Sequence, residues 1–331
     1  LLRKDFDATK VSDMNKMLQK GLVFLCAACA IGLAGCNGLA SPSAAPETYA
    51  ESTARPEDNP SLLMPAHSYE LSGSFEVDGR QGVAYENGTL WVSGSTTLSR
   101  YDANGKLLAT NDTPFDEGYE HEVNHIGDID VWQGEVYAGV ELFLDGEATN
   151  IQIAIYDGQT LELKRTFPFE HESGQDECSG IAVDSDSGSV WMCSWTATGR
   201  YLYRYDLESG KYLGKVQLHA SPQWIQGVAC FDGSLYLTAD DGDADLDEPD
   251  HVYRVTIGQD ATHATVALER TLDDVTKQGE IEGLTFTDDG RMLVLYNRGA
   301  RIVAGMPTGF YDGYDREIHE VFAYRLTERP Q

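Results

Sequence analysis

Ile225-Gln226-Gly227-Val228-Ala229-Cys230-Phe231-Asp232-Gly233-Ser234-Leu235-Tyr236-Leu237-Thr238-Ala239-Asp240 decides how the chain folds. An apolar run meets a second β-rich run across Asp232-Gly233, a pair suited to a type I′ turn, whose two central residues need positive φ. The same pattern recurs four more times. Gln81-Gly82-Val83-Ala84-Tyr85 meets Leu90-Trp91-Val92-Ser93 across Asn87-Gly88, and Gly127-Asp128-Ile129-Asp130-Val131 meets Val136-Tyr137-Ala138-Gly139 across Gln133-Gly134. Ser179-Gly180-Ile181-Ala182-Val183 meets Val190-Trp191-Met192-Cys193 across a turn ending at Ser187-Gly188, and Glu282-Gly283-Leu284-Thr285-Phe286 meets Met292-Leu293-Val294-Leu295 across Asp289-Gly290. The second residues of the five motifs are 82, 128, 180, 227 and 283, a period of roughly 50 that suits propeller blades and not solenoid repeats.

Each of the first four hairpins is followed by a third and a fourth strand of alternating apolar and polar residues, the pattern of antiparallel strands packed between neighbouring sheets. The fifth unit stops at Val321-Phe322-Ala323-Tyr324-Arg325-Leu326 without a fourth strand, whereas a surplus strand, residues 69–77, stands before the first motif. Letting that strand complete the last blade removes two open edges at once. The sequence therefore predicts an all-β protein: a five-bladed β-propeller of four-stranded antiparallel blades over residues 68–328, closed by an N-terminal strand in the last blade. Connections within hairpins are short, and those between second and third strands or between blades are long (112–126, 142–150, 168–178, 241–250 and 299–318). Long loops on a rigid scaffold carry function, so the long-loop face is the functional face.

The start of the chain has a different character. Residues 1–16 read as an upstream extension outside the native protein. Residues 17–35 read as a signal peptide: Met17-Leu18-Gln19-Lys20 is a short basic start, and Gly21 to Gly35 is an apolar run of 15 residues, too short for a spanning helix. Leu33-Ala34-Gly35-Cys36 resembles the lipobox of bacterial lipoproteins. The resemblance implies palmitate-type acylation of Cys36, a lipid anchor in the membrane of the cell envelope, and an extracytoplasmic globular domain. An ordinary secretory signal with a chance cysteine is the alternative. Residues 36–67, rich in Pro, Ala, Ser and Glu, read as the acylated cysteine and a flexible tether.

Of 6 cysteines, three follow Cys36: Cys178, Cys193 and Cys230. An odd number leaves at least one thiol unpaired in a monomer, the expected state. A cross-strand Cys178–Cys193 disulfide is left open, and Cys230 is expected to be reduced on an inner strand. The formal net charge is -30, which excludes nucleic acid as a partner and favours cations and cationic ligands.

Around the axial mouth the inner strands open with Gln81, Gly127, Ser179, Gln226 and Glu282, preceded by His125, Glu177, Trp224 and Glu280. The second strands end at Ser95, Glu141, Trp195, Asp240 and Asn297. Converging oxygens suit a hard cation, so Glu282, Glu280 and Asp240 are candidate ligands for Ca2+, with a water-filled polar channel as the plainer alternative. Glu282, His125 and Asp128 are candidate acid/base residues. Gln81, Ser179, Trp195, Trp224, Gln226 and Asn297 are candidate contacts for a small molecule or peptide. The acidic run from Asp240 to Glu248 is not an EF-hand, because Leu246 stands at the turn glycine position and Val252 at the closing glutamate position.

The stretch from Gln81 to Ser93, followed by Asp102 and Gly105-Lys106, resembles the first blade of the glutamine cyclotransferase family. That family consists of five-bladed propellers that convert an N-terminal glutamine to pyroglutamate. Where it has Glu-Gly opening its second blade, this chain has Gly127-Asp128. Ile225 to Asp240 more weakly resembles blades of gluconolactonase-like, metal-dependent hydrolases. The leading expectation is a lipid-anchored binding protein whose acidic face takes a small ligand or peptide, with or without Ca2+. The alternative is a cyclotransferase-like or metal-assisted hydrolytic enzyme, and a second alternative is a docking scaffold for an envelope protein.

Overall fold

The computed structural model describes residues 63–116, 118–196, 199–258, 261–303 and 306–329, with the backbone alone for Gln278. The upstream extension, the signal peptide, Cys36 and nearly all of the tether lie outside the described residues.

The protein is a β-propeller built from sheets of four antiparallel strands. β1 (His67–Glu76) begins one residue inside the expected tether. β2 (Gly82–Glu86), β3 (Thr89–Gly94), β4 (Thr97–Asp102) and β5 (Leu107–Asn111) form one sheet in chain order. β6 (His125–Trp132), β7 (Glu135–Leu144), β8 (Glu147–Asp157) and β9 (Leu163–Phe167) form the next. β10 (Gly180–Asp184), β11 (Ser189–Cys193), β12 (Tyr201–Asp206) and β13 (Tyr212–His219) run on into β17 (His263–Thr271), β16 (His251–Ile257), β15 (Ser234–Ala239) and β14 (Ile225–Phe231). These eight strands are one sheet because β13 pairs with β17 in parallel, Gln217 opposite His263 and His219 opposite Thr265. That outer seam is invisible to a reading based on hairpins.

β18 (Gln278–Phe286), β19 (Arg291–Arg298) and β22 (Ile318–Glu328) make the last sheet with β1, which pairs antiparallel to β22 from His67↔Glu328 to Glu76↔Glu320. The two ends of the described chain thus share one sheet, as expected. Between β19 and β22 rises a separate hairpin, β20 (Ala300–Val303) and β21 (Met306–Phe310). The segment expected as the loop 142–150 is instead an extension of the β7–β8 hairpin, turned by Asp145 at φ 57 and Gly146 at φ 86.

Apolar clusters fill the spaces between neighbouring sheets, each drawing side chains from both. Trp91 and Ala84, for example, pack with Ile129, Val136 and Tyr156. The inner strands β2, β6, β10, β14 and β18 each neighbour the next, and β18 returns to β2. They come close because glycine stands where they converge. A β-carbon on Gly227 would lie 2.7 Å from Cα of Gly283, and one on Gly180 would lie 2.9 Å from the Val228 nitrogen. Cys178, Cys193 and Cys230 are free thiols. The β10–β11 ladder ends at Gly180↔Cys193, so Cys178 lies beyond the last pair and has no cross-strand bond to Cys193.

Candidate active site at the mouth of the axis

Three inner strands break register at the same level. The irregularities lie between Ile126 and Ile129, between Ile225 and Gly227, and between Ile281 and Leu284. A bulge frees residues from the ladder and redirects their side chains, and the residues freed are Asp128, Gln226 and Glu282. Gln81 and Ser179 reach the same level by preceding β2 and β10.

Glu282 is the centre of the group and is only 2% exposed. Its Oε1 accepts a 2.6 Å hydrogen bond from Asn297 Nδ2, and Gln81 Nε2 stands 3.5 Å away. Glu280 is in side-chain contact with it. Gln226 Nε2 donates to Glu280 Oε1 at 3.0 Å, and Arg80 Nη2 lies 3.5 Å from Glu280 Oε2. Arg80 also faces Glu317, Nε to Oε1 at 3.2 Å. Burial pushes the Glu282 carboxyl well above its ordinary range, and the neighbouring Glu280 adds to the rise. Burial raises Glu280 too, but Arg80 opposes it. Burial thus favours the neutral form of Glu282, whereas Arg80 favours the ionised form of Glu280.

His125 extends the group. Its Nε2 is 3.1 Å from Gln81 Oε1 and its Nδ1 is 3.3 Å from Oε1 of Glu141, a fully buried carboxylate that also accepts from the Cys178 nitrogen at 2.9 Å. Gln81 thus offers its carbonyl to His125 and its amide nitrogen to Glu282. On the far side, Glu177 accepts from the Trp195 nitrogen at 2.6 Å, and burial followed by Glu141 raises its carboxyl well above the usual range. Trp195 and Trp224 lie 5.0 Å apart at 40°, and Trp224 is 46% exposed on a backbone with φ 54, an uncommon conformation for a bulky residue. Half-buried Asp240 and buried Asp250 form a second pair. Burial and then Asp250 raise Asp240 well above normal, and burial pushes Asp250 up to about 7 against the hydrogen bond from the Gly242 nitrogen.

The structure sorts the expected residues. It joins Glu282, His125, Gln81 and Asn297 in one hydrogen-bonded chain and sets Glu280 and Gln226 against it. It separates Asp128 from that chain. The Asp128 carboxylate accepts from the backbone nitrogens of Ile129 at 2.9 Å and Val228 at 3.3 Å, in the role of an axial plug. Ser179 donates its hydroxyl to Ile225 O at 2.7 Å, tying two inner strands. As for the expected Ca2+ ligands Glu282, Glu280 and Asp240, no group of three or more His, Cys, Asp or Glu side chains among the described residues is arranged to hold a metal ion. The positive charge beside Glu280 is Arg80. Sequence reasoning missed Arg80, Glu317 and Asp250. Arg80 was within reach of it, because it directly precedes Gln81 at the mouth; Glu317 carried no signal, since it ends a long loop.

Fold and geometry together define a β-propeller with a cluster of carboxyls and amides at one end of its axis. No protein-family model and no curated protein sequence matches the chain. Among solved structures it is similar to the glutaminyl cyclase of Myxococcus xanthus, with 12% identity and a TM-score of 0.52 over 80% of this chain and 100% of that one. The PQQ-bound aldose sugar dehydrogenase of Streptomyces coelicolor (12% identity, TM-score 0.46, 80% and 100% covered) and a gluconolactonase of Xanthomonas campestris (13%, 0.41, 72% and 69%) are further neighbours. The likeness to the glutaminyl cyclase establishes the propeller fold.

Proposed function

We propose that this protein is a five-bladed propeller enzyme, its eight-stranded sheet counting as two blades, that cyclises the N-terminal glutamine of a peptide to pyroglutamate. The observation that carries the reading is the Glu282–Glu280 pair: a buried carboxyl pushed towards its neutral form touches a second whose ionised form Arg80 favours, and three amide side chains flank them. In the reaction the neutral α-amine attacks the γ-carboxamide carbon, forming a C–N bond. Glu280 takes the proton that the amine loses, and Glu282 gives its proton to the departing nitrogen as the second C–N bond breaks and ammonia leaves. Transfer of the proton from Glu280 to Glu282 restores the starting state. Asn297 and Gln81 orient Glu282, and His125, backed by Glu141, orients Gln81.

A sequence pattern supports the same reading. The Glu-Gly missing after the Gln81 blade is present after the Gln226 blade, so Gln226-Gly227 and Glu282-Gly283 open successive motifs. Incubation with a glutamine-initiated peptide, followed by mass spectrometry for loss of ammonia, tests the proposal. Glu282→Gln is expected to lower the rate by about 10²- to 10⁴-fold, and a wild-type protein without turnover on any such peptide removes the reading. Exposed Trp224, tilted against Trp195, favours a second reading in which the face captures a peptide without reacting. We place the domain outside the cytoplasm, tethered through acylated Cys36. Cys36→Ala is then expected to release it from membranes.

A further inference from the structure

Immediately beside the carboxyl pair stands the β20–β21 hairpin, which the reaction above does not use. Its base packs on the site: a β-carbon on Gly279, the residue before Glu280, would meet Ala300 O and lie 2.9 Å from Ile302 Cγ1. Every residue of β21 is exposed, and among the described residues β21 pairs with β20 and no other strand. Val303, Met306 and Phe310 are 53%, 66% and 46% exposed, and Leu246 of the neighbouring acidic loop is 67% exposed. That loop is fastened to the hairpin and its base through Arg301–Asp245 at 2.9 Å and Lys277–Asp247 at 2.6 Å. Even with those two cations the surroundings are acidic, since Asp243, Glu248, Asp312 and Asp315 are also exposed.

We propose that the outer edge of β21 receives an extended, basic polypeptide as an added strand, with the first residue of that polypeptide at the carboxyl pair. Apart from Pro307, which has no N–H, and the Phe310 carbonyl, which accepts from Arg301 Nη1 at 2.8 Å, the edge supplies backbone pairing, its apolar side chains supply contact area, and the acidic rim selects basic residues. The occupant follows from charge and proximity: the rim is acidic, and the base of the hairpin packs against Gly279, the residue before Glu280. Five residues of strand extend about 17 Å, enough to read the next four or five residues. The identity of the first residue rests on the proposed cyclisation, whereas the docking edge does not.

The test uses two fluorescent hexapeptides that begin with glutamine, one with lysine and arginine at alternate positions and one with glutamate and aspartate there. Anisotropy measures binding, and mass spectrometry measures cyclisation against glutaminamide. The basic peptide is expected to bind at least tenfold more tightly than the acidic one, with the gap shrinking as salt rises. Met306→Lys and Phe310→Ser are each expected to weaken it about tenfold, without change in thermal midpoint. The basic hexapeptide is also expected to exceed glutaminamide tenfold in kcat/KM. Equal affinity for the two peptides, or variants that bind the basic one as the wild type does, overturns the inference. Cyclisation that is as efficient on glutaminamide overturns it while leaving the proposed reaction standing. Hairpin-dependent binding without cyclisation supports it and removes the reaction.

Discussion

A β-carbon on Gly82 would stand 2.6 Å from Oδ1 of Asp128 and 2.6 Å from its α-carbon. The two inner strands meet at this distance only because one carries a hydrogen where the other carries a carboxyl. Gly227 and Gly283 face the same carboxyl from other sheets. The axis is therefore plugged by one side chain, held by backbone N–H groups from separate strands.

Asp128→Ala is expected to destabilise the domain strongly. It leaves the Ile129 and Val228 N–H groups buried without a partner, at about 1–3 kcal/mol each, and opens a cavity on the axis. Gly82→Ala forces a methyl group against the plug and costs about 1–3 kcal/mol or more through overpacking. Urea unfolding measures both. An Asp128→Ala variant as stable as wild type would show that the axial carboxyl is dispensable.

Stability should fall as pH rises above the ordinary carboxylate range. Burial pushes Asp130 up to about 6 and Asp250 up to about 7, while both titrate near 3.9 in the unfolded chain. Between those values the native state holds protons that the unfolded state has released, so the contribution is complete below about pH 4 and is lost as pH rises through about 6 and about 7. Asp250→Asn is expected to flatten the upper part of that decline in thermal midpoint. A midpoint that climbs over the same interval in the wild type contradicts the assignment.

Glu269 fastens the start of β1 to the rest of the ring. It is 3% exposed, accepts from the Ala66 and His67 nitrogens at 2.9 Å each and from Tyr69 Oη at 3.0 Å, and pairs with Arg254 Nε at 3.2 Å. Removing one partner of a buried ion pair costs about 3–5 kcal/mol. Glu269→Ala is expected to approach that loss, and hydrogen exchange should quicken first along β1 and its partner β22. Uniform exchange across all sheets would mean that the staple is not local.

Arg80 opposes the upward shift of Glu280. In Arg80→Ala, Glu280 needs a higher pH to ionise, so the acidic limb of the pH profile of the proposed cyclisation is expected to move to higher pH, with kcat recovering as pH rises. An unshifted limb with a uniformly lower rate would assign Arg80 to substrate binding alone.

The sequence by itself determined the hairpins, their recurrence and the partnership of the first and last strands. These rest on short-range signals: Asp232-Gly233 and its counterparts specify turns, and alternating residues specify a two-sided strand. A missing fourth strand at one end and a surplus at the other then pair by elimination, as β1 and β22 do. Gln81, Gln226, Glu280, Glu282, His125 and Asn297 were legible as a group because strand ends must meet around an axis.

Only the tertiary structure decided which of these side chains touch. Gln81 and Glu282 are 201 residues apart in the chain, and nothing local specifies their contact. The bulges at Asp128, Gln226 and Glu282 depend on how closely the inner strands pack, which depends in turn on glycines from other sheets. That packing turned Asp128 into a plug and set Arg80 opposite Glu280. It also left β20 and β21 standing alone in what reads, from the sequence, as a long loop. Side-chain roles at a convergent axis are set by distances across the ring, and those are properties of the closed fold and not of any one strand.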